Sequence, residues 1–116
     1  MADEGLTPVE TEGELEEEKV FHSKKLGSFT FRLPYSMDEI LVLRRRAQIM
    51  GIAENLAGPE LLAISHAQAM FEVYNVHAPH KFDVSRMRTW APFLTLMTEV
   101  GNWHQDFFRQ VGDQEE

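Results

Sequence analysis

Apolar residues recur at regular intervals from Val20 onward, and the interval changes along the chain. Ser28-Phe29-Thr30-Phe31-Arg32-Leu33 alternates polar and apolar, which predicts a half-buried strand with Phe29, Phe31 and Leu33 on one face; Pro34 ends it. Lys19-Val20-Phe21-His22 reads as a shorter strand upstream, and the five residues between, ending in Gly27, can close a hairpin. A hairpin alone is marginal in water, so its phenylalanine face is expected to pack on helices.

After Pro34 the period lengthens to that of a helix. Met37, Ile40, Leu43, Ala47 and Met50 form one stripe at three- and four-residue spacing, predicting a helix over 37–50 with that stripe as its apolar side. Ser36 and Glu39 have the spacing of a capping box, Arg44-Arg45-Arg46 suit the negative end of the helix dipole, and Gly51 suits a left-handed stop. A second helix is predicted from Pro59, a good first-turn residue, to about Asn75. Its apolar residues cover nearly the whole circumference, so it is either central in the core or has a second face awaiting a partner. Residues 76–82 read as a connection and 83–88 as an extra turn capped by Asp83 or Ser85. A last helix is predicted from Thr89 to Gln110, with Pro92 in its first turn. It carries one apolar row through Phe93, Leu96, Val100, Trp103 and Phe107 and a second through Trp90, Leu94, Met97 and Phe108. The expected fold is mainly α (α+β): three to four helices with an N-terminal β-hairpin.

Charge divides the 116 residues differently. Residues 1–18 contain eight acidic residues and no Lys or Arg, and the last four add Asp113, Glu115 and Glu116. Residues 19–112 hold eleven basic against eight acidic residues, so a mildly basic body stands between two acidic ends despite the overall charge of −8. The organisation expected is a disordered acidic tail over 1–18, one domain over 19–110 and an acidic tail over 111–116. The first tail is either simply solvated or an arm that screens a basic or apolar patch until a partner displaces it. With no cysteine, disulfides, thiolate metal sites and cysteine nucleophiles are excluded. No apolar run approaches the ~20 residues of a membrane span, and the acidic start does not suit a signal peptide; a cytoplasmic protein is expected.

Catalytic chemistry finds little support. His77 and His80 flank Pro79 without a third ligand at a recognisable spacing, and zinc takes three or four. The glycines stand apart rather than in a phosphate-binding loop, no serine lies in a nucleophile elbow, and no spacing pairs two carboxylates on one helix face. The expectation is a non-enzyme with no cofactor and no metal. Arg44, Arg45 and Arg46 project about 100° apart, a collar rather than a flat patch, which together with the sequence pI of about 5.1 speaks against nucleic acid as the partner. The aromatic end is a better candidate for recognition: Trp103, Phe107, Phe108 and Arg109 are of the types that anchor protein interfaces, with Met70 and Phe71 as further contacts. Core packing is the competing role for each.

The order of these features, Phe-Thr-Phe-Arg-Leu-Pro at 29–34, Glu39-Ile-Leu-Val-Leu-Arg-Arg-Arg-Ala, an apolar middle helix and an aromatic last helix ending Phe107-Phe108-Arg109, resembles the tail assembly chaperones of long-tailed bacteriophages over roughly residues 26–110. The resemblance implies a non-enzymatic, mostly helical protein of the host cytoplasm that binds the tape measure protein and promotes polymerisation of the major tail protein around it. It also implies a homo-oligomer, absent from the finished virion. The alternatives are a virion structural or head–tail connector subunit and a small nucleic-acid-binding regulator using the three arginines.

Overall fold

The computed structural model describes residues 17–51 and 58–115. The sequence expectation for residues 1–16 lies outside the described residues. Two strands, β1 (Glu18–Ser23) and β2 (Gly27–Arg32), form the hairpin, followed by α1 (Asp38–Met50), α2 (Pro59–Tyr74), a short strand β3 (Asn75–His77), a single 3-10 turn (Val84–Arg86) and α3 (Ala91–Glu115). Among the described residues the architecture is α+β, with three α-helices against a three-stranded antiparallel sheet of order β1-β2-β3.

The hairpin follows the period-two pattern. Phe21 pairs with Phe29 across the strands and Lys19 with Phe31, so the phenylalanines share one face. Phe29 and Phe31 are fully buried. They meet Phe71 of α2 at 6.1 and 5.9 Å between ring centroids, and Phe29 meets Phe82 edge-on at 4.9 Å. Phe71 in turn touches Phe93 of α3 at 5.6 Å, so one run of edge-to-face rings joins sheet, middle helix and last helix. At the hairpin tip Gly27 has φ +109°, and a Cβ placed there would lie 2.8 Å from Pro79 Cγ. Position 27 is thus restricted to glycine by backbone and by space alike.

Four details differ from the sequence reading. The first strand starts at Glu18, inside the stretch read as tail, and the Leu33 N–H donates to the Glu17 carbonyl at 2.8 Å. The connection at 76–82 contains part of a third strand: residues 75–77 pair with Thr30 and Phe31 across an irregularity, and the Asn75 side-chain amide donates to the Thr30 carbonyl at 3.2 Å. Three residues are too few to display a period. No capping box forms at α1, since Ser36 is exposed and Met37 occupies the cap position without a side-chain bond. The chain enters α1 through a turn, Asp38 N–H to Tyr35 O at 3.0 Å, and the Asp38 carboxylate reaches back to the Tyr35 N–H at 2.7 Å. Finally, α3 continues through Glu115, into the stretch read as a C-terminal tail. Three local expectations hold: Pro59 opens α2, Gly51 follows α1 at φ +72°, and Asp83 accepts the Ser85 N–H at the 3-10 turn.

Phe31→Ala removes a ring with no solvent exposure and is expected to cost about 3–5 kcal/mol. Val20→Ala, on the outward face of the same sheet, is expected to stay within about 0.5 kcal/mol. Urea denaturation of both variants checks the difference.

Candidate partner-binding surface

The orientation of α1 is set by Arg32 at the end of β2. Its guanidinium donates through Nη1 to Asp38 Oδ2 at 2.8 Å and to the Leu33 carbonyl at 3.0 Å, and through Nη2 to the Val73 carbonyl at 3.1 Å. It lies between the rings of Tyr35 and Tyr74, 5.0 and 5.4 Å from their centroids. The Arg32 carbonyl accepts from His104 Nε2 of α3 at 2.9 Å, and the His104 ring stands edge-on to Tyr74 at 4.4 Å. Sheet, α1, α2 and α3 therefore meet at one residue. Burial alone would raise the Asp38 carboxyl, but the hydrogen bonds from Arg32 and the Tyr35 N–H outweigh it and hold it below its ordinary value. Burial, helped by the Asp38 charge, pushes the Tyr74 phenol up to about 12. Burial also holds the His104 imidazole below its ordinary range, against the opposing pull of its bond to the Arg32 carbonyl.

This anchoring turns α1 the opposite way from the sequence expectation. Its inward side holds Asp38, Val42, Arg45 and Ile49; Asp38 and Val42 are buried, and Arg45 forks onto Glu72 of α2 at 2.6 and 3.2 Å. The first part of the predicted core stripe faces solvent: Met37, Ile40 and Leu43 are 60, 47 and 41 % exposed, with Leu41 and Tyr35 exposed beside them, while Ala47 and Met50 at its far end are half-buried. The reason is electrostatic. Once Arg32 is set between two tyrosines it requires a carboxylate, and Asp38 supplies it from the polar side of the helix, so that side faces inward. The three arginines also precede the last turn of the helix rather than occupying it.

Beside this face, α1, α2 and α3 border a groove. One section, of about 530 Å³, reaches from Tyr35 and Glu39 past His66 and Met70 to Phe108; the next, of about 600 Å³, continues along Leu62, Ala63, Met97 and Leu94 to Arg46. The two sections share His66, Met70, Thr98 and Gly101. Gly101 has no side chain to fill the gap, and a Cβ there would only just touch the Met70 methyl at 3.9 Å. His66 Nδ1 is buried without a hydrogen-bond partner, and burial and the Arg46 charge lower its imidazole against the pull of Glu39. Among the described residues no group of three or more His, Cys, Asp or Glu side chains is arranged to hold a metal, and no helix is long and apolar enough to cross a membrane.

Of the six residues singled out from sequence, the groove gathers two, Met70 and Phe108, the latter 51 % exposed. Trp103 faces the hairpin, its ring 5.7 Å from Phe21. Phe107 is half-buried and touches Phe108 at 5.7 Å, while Arg109 is exposed and paired with Asp106 at 3.1 Å. Phe71 sits in the ring cluster of the core. What sequence reasoning missed was the exposure of the α1 stripe. Its apolar residues were legible, and the direction they face was not.

The Arg32 junction sets an acid response. A histidine whose folded pKa is lowered contributes stability that is complete above its unfolded value of 6.5 and declines as pH falls through that value, because the unfolded chain takes up the proton first. The urea midpoint is expected to fall between about pH 7 and about pH 5, and His104→Gln, which keeps a donor for the Arg32 carbonyl, is expected to flatten that fall, His66 accounting for the remainder. Asp38 acts lower: its contribution is present above 3.8 and is lost as pH falls through its depressed folded value. No family model, curated protein or solved structure matched the chain.

Proposed function

We propose that this chain is a non-enzymatic chaperone of the phage tail assembly type, holding apolar helical segments of a tape measure protein while major tail protein subunits polymerise around it. The observation that carries the reading is the reversal of α1, whose charged side binds its own domain while Met37, Ile40, Leu41 and Leu43 stand outward. Exposed apolar residues grouped on one element mark a surface for a partner. The adjoining groove has the form that receives an amphipathic helix, its section along α2 and α3 mostly apolar with small residues Ala67 and Gly101 in its lining, and its adaptable Met70 suits a client of varied sequence. Arg45 is already engaged by Glu72, so the three arginines do not act together as a phosphate-binding collar, which favours a protein client over nucleic acid.

The test is co-expression with the tape measure protein of the same genome, scoring its solubility and co-purification. Ile40→Asp with Leu43→Asp is expected to abolish both, and Val20→Asp, an equally exposed apolar position on the sheet, to leave them intact. Because both α1 positions face solvent, the double variant should keep its helical circular dichroism and lose no more than about 1 kcal/mol of stability. A tape measure protein that is soluble without this chain, or a chain found at stoichiometric level in purified virions, would overturn the reading, the second in favour of a connector subunit.

A further inference from the structure

Strand β1 is an edge of the sheet, and its pairing fixes which of its backbone groups are open. In an antiparallel pair, residues alternate between those that exchange hydrogen bonds with the neighbour and those that turn away from it. The Leu33 N–H donates to the Glu17 carbonyl, so positions 17 and 33 form a bonded pair, and along the same register Lys19, Phe21 and Ser23 bond to β2. Glu18, Val20 and His22 therefore turn their N–H and C=O groups outward, and among the described residues no hydrogen bond reaches those groups. All three residues are exposed, Val20 by 50 %. We infer that this edge pairs with the same edge of a second copy of the chain, antiparallel about a two-fold axis at Val20.

Charge selects both this occupant and this register. The strand begins with Glu17 and Glu18 and runs into Lys24 and Lys25 at the hairpin tip, all four exposed. An edge guarded by charges of one sign repels a second copy. An edge acidic at its start and basic at its end attracts a copy running the other way, because each start meets the other's tip. With Val20 opposite itself, Glu18 lies opposite His22 of the second copy, and Glu17 lies opposite Ser23 of the second copy, next to that copy's Lys24. The outward N–H and C=O groups of all three residues then find partners on both copies. Sliding the copies by two residues sets Lys19 against Lys19 of the second copy in one direction, and in the other draws the turn residue Lys24 into the ladder. A parallel arrangement sets acid against acid and base against base. An unrelated strand would satisfy the same backbone groups without any reason to match both charged ends. One strand on each side buries a small area, so the dimer is expected in the micromolar range. It uses neither α1 nor the groove, and so stands apart from the client reading.

Sedimentation equilibrium of the full chain, without client, is expected to show a monomer–dimer equilibrium. Val20→Pro removes only an outward N–H, which an edge strand tolerates, and is expected to leave a monomer with unchanged circular dichroism. Glu17→Lys with Glu18→Lys, and separately Lys24→Glu with Lys25→Glu, are each expected to weaken self-association by about tenfold or more. Mixing these two double variants is expected to restore a dimer with one chain of each, which keeps the test decisive if the proline variant does not fold. The chain has no cysteine, so Val20→Cys gives one thiol per copy. Cα atoms of a bonded antiparallel pair stand about 5.5 Å apart, within disulfide range, so mild oxidation is expected to link two copies. Thr30→Cys, one strand further in, is expected to stay unlinked. A wild-type chain that is monomeric up to millimolar concentration would overturn the proposal and leave the edge to another protein's strand. A dimer that survives both Val20→Pro and the charge reversals would also overturn it, as would one lost on Ile40→Asp with Leu43→Asp, which would place the contact on α1.

Discussion

One guanidinium decides how this molecule is put together. Arg32 ends a strand whose other face is phenylalanine, and its head group is received by a carboxylate, two carbonyls and two tyrosine rings. A charge drawn partly out of water gains from each of these partners, because a half-satisfied polar network costs more than an apolar one. The helix that follows supplies the carboxylate and is therefore oriented by it. The helix that closes the domain contributes the imidazole that caps the Arg32 carbonyl. Sheet, core and surface are consistent with one another through this junction.

The aromatic core and the polar junction divide the task between them. Phe29, Phe31, Phe71 and Phe93 hold sheet, middle helix and last helix together through apolar burial, which has no directional preference of its own. The junction supplies direction. Without it α1 would gain by rolling its apolar stripe inward; with it the stripe stays outside, available for association. The molecule thus carries an association surface whose exposure is maintained by ionic contacts behind it rather than by anything on the surface itself.

Sequence periodicity made much of this visible. The alternation at 28–33 located β2 and named its buried residues, Pro59 marked the start of α2, and the two rows of α3 separated into a buried set led by Phe93, Leu96 and Val100 and a flank that includes the exposed Phe108. Periodicity gives the angle between residues on a helix and says nothing of which way the helix is rolled. The α1 stripe was therefore legible as a stripe and illegible as a surface. Its direction depends on Arg32 finding Asp38 across a turn and Val73 forty-one residues away, information that no local window contains. The third strand was hidden for a related reason, since it pairs with a segment forty-five residues upstream and is too short to show alternation. Among the aromatic candidates, Trp103 and Phe71 have the residue types of an interface but are packed on the sheet side and in the core, and composition alone does not separate those settings.

The close approach of Gly27 and Pro79 bears on the order of folding events. The strands that meet at Gly27 are neighbours in the chain and can pair early, because the loop between them is short. The proline that seats against the tip lies beyond the whole of α2, fifty-two residues later. The tip is therefore sealed only after the middle helix has formed and the third strand has come alongside, which makes an easily formed hairpin wait on a distant contact for its final geometry. During synthesis the hairpin leaves the ribosome ahead of the three helices and is in this way locked only after the middle one, and its open tip coincides in time with a core that is still being assembled.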